Sequence, residues 1–251
     1  MNISGAAFAK FSKRLSTIRT AASDEILAYI NKTGIEKYIL AGYDMTSFVD
    51  HAYGIATKYG EAAGALSAEL YDAIAQMSGV RVPPAELAPT PSYSEIKKTV
   101  YGVRKQSKNP SMLADAIGRQ VKRVGAETTL RNAERDHAQY AWIPQGDTCA
   151  FCIMVASNGW QHSNYSVDHL HANCDCEYCA RFDNSTKVGG YDPQKYKDMY
   201  DSADGSNYEE KLNSMRRDAY AENKDEINAQ KRDAYEKRQE LNSSEAEEIE
   251  V

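Results

Sequence analysis

The sequence predicts a mainly α protein: a helical N-terminal region, a small α+β domain stabilised by zinc, and a helical C-terminal tail. Three observations predict it. Apolar residues recur at threes and fours through most of the chain before Ala138, the spacing that lines one face of a helix. All five cysteines and three of the five histidines then fall between Cys149 and Cys179. Beyond the glycine pair Gly189-Gly190 the chain becomes charged and tyrosine-rich.

Taken in order, Ala7 to Ile30 reads as an amphipathic helix, with Phe8, Phe11, Leu15, Ile18, Ala22 and Ile26 along one stripe. After a break at Gly34, a second helix is expected from about Met45 to Met77; its many Ala and Gly residues let a neighbour approach closely. Val80 to Ser92 holds four of the seven prolines. Proline removes a backbone donor and biases the preceding residue toward extended conformations, so this stretch is a linker or an extended arm. Helices follow at Tyr93 to Gln106 and from Pro110 to about His137, where Leu113, Ile117, Val121, Val124 and Leu130 share one side. Ala138 to Pro144, AQYAWIP, has the aromatic and β-branched character of a short strand. The segments divide as residues 1–83, a proline-rich linker at 84–92, a domain at 93–183 and a tail at 184–251. Tyr208 to Leu241 is expected to be largely helical, and Arg217-Asp218-Ala219-Tyr220 recurs as Arg232-Asp233-Ala234-Tyr235.

The 251 residues are 42% hydrophobic and 26% charged, with a net charge of −6. That balance argues against a protein whose main work is coating DNA, since nonspecific DNA affinity comes from Lys and Arg neutralising phosphates; a local DNA contact stays open. Charges at Lys10, Lys13, Arg14 and Arg19 interrupt any secretory h-region. No apolar run approaches the ~18 residues of a membrane span. The expected site of synthesis is a cytoplasm, where thiols stay reduced and clustered cysteines are more often metal ligands than disulfides.

Cys149 and Cys152 form a C-x2-C pair, and His171, Cys174 and Cys176 follow as H-x2-C-x-C. Zinc takes four thiolate or imidazole donors at tetrahedral corners, and two short-spaced pairs joined by a loop can supply them. One arrangement is a knuckle of Cys149, Cys152, His171 and one of Cys174 or Cys176. Another is a four-cysteine ribbon from Cys149/Cys152 and Cys176/Cys179. A catalytic metal is disfavoured: neither the deaminase H-x-E with P-C-x-x-C nor the metalloprotease H-E-x-x-H is present. Asp168-His169 offers a two-residue match to the His-metal-finger nucleases, which makes a metal-dependent nuclease the competing reading. A cysteine nucleophile paired with His137 is less economical than ligation, because a catalytic cysteine needs no cluster of its kind.

The block Asp147, Thr148, Cys149, Cys152, Gly159, His171, Asn173, Cys174 and Cys176 resembles the D-T-C-x-x-C, glycine loop, H-x-N-C-x-C signature of the phage Mu F-like minor head proteins, the phage head morphogenesis family. Ala172 and Asp175 stand where that family usually has Pro and Arg, and Cys179 is additional. The resemblance covers about Tyr93 onward through the cluster. It implies a minor capsid protein of the virion and not an enzyme. It also implies association with the portal protein, with the major capsid protein as a second partner, and a role in head assembly and DNA retention or delivery.

Overall fold

Why the first helix begins and ends where it does is a matter of capping. A computed structural model of the chain describes residues 2–35, 44–106, 109–146, 148–162, 174–229 and 232–233. In it α1 spans Gly5–Thr33. The Ser4 side chain accepts a hydrogen bond from the Ala7 amide at 3.1 Å, satisfying one of the orphan donors of the first turn. Gly34, at φ 61°, closes the other end in the left-handed conformation that glycine adopts without a Cβ penalty.

Helix α1 packs against α2 (Thr46–Met77) and α4 (Ser111–Arg135), and α3 (Tyr93–Gln106) lies on α2 and α4. The buried faces are the stripes that the spacing predicts: Phe8, Phe11, Leu15 and Ile26 from α1, Phe48 and Ile55 from α2, Leu113, Ile117 and Val121 from α4. Small residues set how closely α2 and α4 approach. A Cβ on Gly64 would lie 3.3 Å from Thr128 Oγ1, and one on Gly125 would lie 3.0 Å from Ser67 Oγ.

The proline-rich stretch is an extended arm laid on α2 and α4. Its remaining backbone groups find side-chain partners: the Ala85 amide donates to Asp72, the Ala88 amide to Thr128, and the Glu86 amide to Asn132 Oδ1 at 2.9 Å. Asn132 Nδ2 in turn donates to the Glu86 carbonyl at 2.8 Å, so one buried amide side chain substitutes for a strand partner. Asn132→Ala is expected to cost about 1–3 kcal/mol, because it strands buried polar groups on both partners. Urea unfolding of the full chain measures it.

Two small sheets complete the fold. Strands β1 (Asn2–Ile3) and β4 (Lys187–Val188) pair in parallel, tying the N-terminus to the segment after the cysteines. Strands β2 (Gln139–Ile143) and β3 (Glu177–Arg181) pair antiparallel, and Gln161 bridges to Tyr140 on the other edge of β2. Helices α5 (Ala150–Ser157) and α6 (Pro193–Asp201) pack together outside this ribbon. The last element, α7 (Tyr208–Glu222), buries only Leu212 and Ser214. The expected helix up to Leu241, and the second copy of the RDAY repeat beyond Asp233, lie outside the described residues.

Candidate metal centre

The β2–β3 ribbon separates the helical core from the cysteine cluster, and its period of two decides which cysteine goes where. The register pairs Ala141 with Cys179, Trp142 with Tyr178 and Ile143 with Glu177. Ala141, Ile143 and Cys179 enter the core of α1, α2 and α4. Trp142 and Tyr178, on the opposite face, join Cys152, Cys174 and Cys176. Alternate residues of a strand share a face, so Cys179 takes the face opposite Tyr178, while Cys174 and Cys176, just before the strand, pack with Tyr178. This removes the four-cysteine ribbon: Cys179 is a fully buried core residue whose thiol is pushed up by burial. Cys179→Ala is expected to leave metal content unchanged while costing about 1–2 kcal/mol for the lost packing, read by thermal unfolding and elemental analysis of the same sample.

Cys152 arrives from the other direction. The C-x2-C pair lies at a helix start rather than in a simple turn: Cys149 is the N-cap of α5 and Cys152 sits in its first turn. The sulfur atoms of Cys152, Cys174 and Cys176 all lie within 4.8 Å of one another, and all three residues are buried. The Cys152 and Cys174 sulfurs are 3.4 Å apart, and none of the five cysteines is in a disulfide. A disulfide would need about 2.05 Å. Two thiolates on one zinc ion at ~2.3 Å stand roughly 3.8 Å apart along a tetrahedral edge, so the spacing is that of ligands. Cys149 keeps its side chain more exposed and makes a hydrogen bond with the Cys152 thiol. His171 lies outside the described residues, as do Asp147, Asp168, His169 and Asn173. Both Cys174 and Cys176 belong to the group, where the knuckle reading expects one of them.

The surroundings act on the three thiols in opposite directions, lowering Cys174 and raising Cys152 and Cys176. The Cys152 thiol, then that of Cys176, hydrogen-bonds Cys174 and holds it well below the ordinary thiol range against the effect of burial, with the Lys122 ammonium and the Cys176 backbone amide adding to the shift. Hydrogen bonds to Cys149, Cys174 and Cys176 push Cys152 up, as does burial. A divalent cation among these sulfurs would favour their thiolate forms. Three buried sulfurs at ligand spacing, with amide donors and a cation beside them, fit a soft or borderline metal ion such as zinc.

Helices α1 and α4 grip the same segment. The Cys174 carbonyl accepts from Arg19 Nη1 at 2.8 Å and from Lys122 Nζ at 2.5 Å. Arg19 Nη2 pairs with Asp175 at 3.1 Å, and Ser12 Oγ donates to the Asp175 carbonyl. Lys122 is almost fully buried, 3.7 Å from the carboxylate of buried Glu177 and 5.2 Å from the centre of the Trp142 ring. Burial pushes the Glu177 carboxyl up to about 7, although Lys122 opposes it. Ser12, Arg19, Lys122 and Glu177 escape a motif search, yet a signal exists: a lysine among the apolar residues of α4, and a glutamate opening a mostly buried strand.

On the outer side, Tyr191, Tyr196 and Val155 close over the sulfurs. Tyr191 donates to the Ala156 carbonyl at 3.0 Å, which fixes α5 against the start of α6. The fold and site together define a mainly helical protein carrying a buried cluster of three cysteines that could hold a metal ion. The family model for VG15 protein matches residues 2–203, from β1 through α6, and the chain belongs to that family, one of phage proteins. No curated protein and no solved structure matches it. The family reaches back over the first eighty residues, beyond the stretch covered by the resemblance in the cysteine block. No helix among the described residues is long and apolar enough to cross a membrane.

Proposed function

We propose that this chain is a minor capsid (head morphogenesis) protein of a tailed bacteriophage or prophage. It associates with the portal vertex, contacts the portal protein, with the major capsid protein as a second candidate partner, and assists head assembly and the retention or delivery of DNA. Membership of a phage protein family across residues 2–203 carries the reading, and the Mu F-like signature around Cys149 to Cys176 narrows it.

The chain is not an enzyme in this reading. A structural zinc site is closed by protein ligands, whereas a catalytic one keeps a position for water or substrate. In this reading the cluster of Cys152, Cys174 and Cys176, packed against Trp142, Tyr178 and Tyr191, is of the first kind, which its burial supports. The ion is zinc, Cys149, beside Cys152, and His171 are the candidates for the fourth ligand, and the bound ion serves to fix the cysteine segments to each other. Partner binding then falls to surfaces such as α6 and α7, where Met199, Tyr208 and Tyr220 are exposed.

Quantitative mass spectrometry of purified virions and empty proheads tests this. A few copies of the chain per particle, in fixed ratio to portal protein, is the expected result. Absence from both particles, with the protein abundant in the lysate, would contradict it. In that case His169→Ala and a metal-dependent nuclease assay on the purified chain become the decisive experiment.

A further inference from the structure

The cysteine cluster is held from below by two cations on two different helices, and no requirement of the helices themselves explains both. Arg19 of α1 and Lys122 of α4 converge on one acceptor, the carbonyl of Cys174. Lys122 is surrounded by Glu177, Trp142 and that carbonyl, with its side chain 2% exposed. Arg19 is 13% exposed in its side chain and also holds Asp175, whose own carbonyl takes the Ser12 hydroxyl. The bonds from Arg19 and Ser12, and the bond from Lys122 to the carbonyl, all end on Cys174 or Asp175.

We propose that Arg19 and Lys122 are positioning residues of the metal centre: a cationic clamp that presets the Cys174-Asp175-Cys176 turn and balances thiolate charge, so that metal affinity depends on α1 and α4 being seated. The inference rests on the metal reading given above. Its physical basis has two parts. Three or four thiolates around a divalent ion carry a net negative charge in a buried site, and a fixed positive charge nearby lowers the energy of that arrangement. A turn already held open at ligand spacing also loses less conformational freedom when the ion arrives. Groups just outside the ligands typically change metal affinity on the order of 10-fold to 100-fold when removed. The ion in turn works as a latch between the N-terminal helices and the ribbon, since whatever tightens the Cys174 turn tightens its grip on α1 and α4.

The test is a competition titration of the full chain with zinc against a chromophoric chelator, together with the absorption spectrum of the cobalt-loaded protein. Two variants are compared with the parent: Arg19→Met, and the double variant Lys122→Met/Glu177→Leu, which removes the buried pair as a unit and avoids a stranded carboxylate. Each is expected to bind zinc on the order of tenfold or more weakly, with the parent's cobalt–thiolate bands retained. A conservative Arg19→Lys variant is expected to recover part of the affinity. Variants that fold and bind zinc with the parent's affinity would overturn the clamp while leaving the metal centre intact. A parent chain that binds no zinc would instead overturn the metal reading and this inference with it.

Discussion

Stripping the metal, or replacing Cys152 by Ser, is expected to lower the melting temperature by about 10 °C. A ligand that binds only the folded state stabilises it by about 4 kcal/mol when free at ~1,000 times its dissociation constant. For a domain of this size, each kcal/mol shifts the midpoint by roughly 2–4 °C. The loss is local in structure. The residues that lose an anchor are the first turn of α5 and the turn before β3, while the core of α1, α2 and α4 is built from separate apolar stripes. Far-UV circular dichroism of the stripped protein is therefore expected to stay strongly helical. Near-UV dichroism should change, because Trp142 and Tyr178, 4.7 Å apart, pack against the sulfurs. Cys149→Ser should show a smaller drop than Cys152→Ser or Cys174→Ser, in line with its exposed position. Differential scanning calorimetry with and without chelator reads all four samples.

Lys122→Ala is expected to destabilise the chain by about 3–5 kcal/mol, the usual cost of removing one partner from a buried ion pair. The partner left behind is Glu177, already pushed up to about 7 by burial with the ammonium in place. Without Lys122 the carboxyl must be buried unpaired or take up a proton. The Cys174 carbonyl keeps Arg19 but loses its buried donor. Lys122→Met/Glu177→Leu should recover most of the loss, since replacing a buried pair by apolar groups of similar volume is often neutral or stabilising. Denaturant unfolding at pH 7 measures the single and the double variant. A single variant as stable as the parent would mean that Lys122 is reached by water and that the pair contributes nothing.

The helices were legible because their signal is periodic and local. Phe8, Phe11 and Leu15, or Ile117, Val121 and Val124, announce a buried face by spacing alone, and Gly34 marks an end by chemistry that acts within one turn, while the Ser4 cap went unread. The strand at Gln139–Ile143 was legible from its aromatic and β-branched residues, and the cysteine cluster from its spacing; of that cluster Cys152, Cys174 and Cys176 come together. What the spacing could not carry is parity between distant segments. Cys179 looks like a fifth ligand until β3 is paired with β2, and only then does its face become the core side. The short helix at Ala150–Ser157 is apolar nearly all round, so it has no stripe to read. Helix α6, with its Asp192 cap and Pro193 in the first turn, follows a glycine pair that reads more readily as a joint. Arg19 and Lys122 were hidden for a different reason: each lies on a helix more than fifty residues from Cys174 and meets it only through the fold.

The most direct test of the central claim is the metal content of the purified full-length chain, measured by elemental analysis alongside native mass spectrometry. The account predicts one zinc ion per chain, retained through gel filtration and lost in Cys152→Ser and Cys174→Ser but not in Cys179→Ala. A folded chain with no bound metal, or one whose metal survives the loss of Cys152 and Cys174, would contradict it.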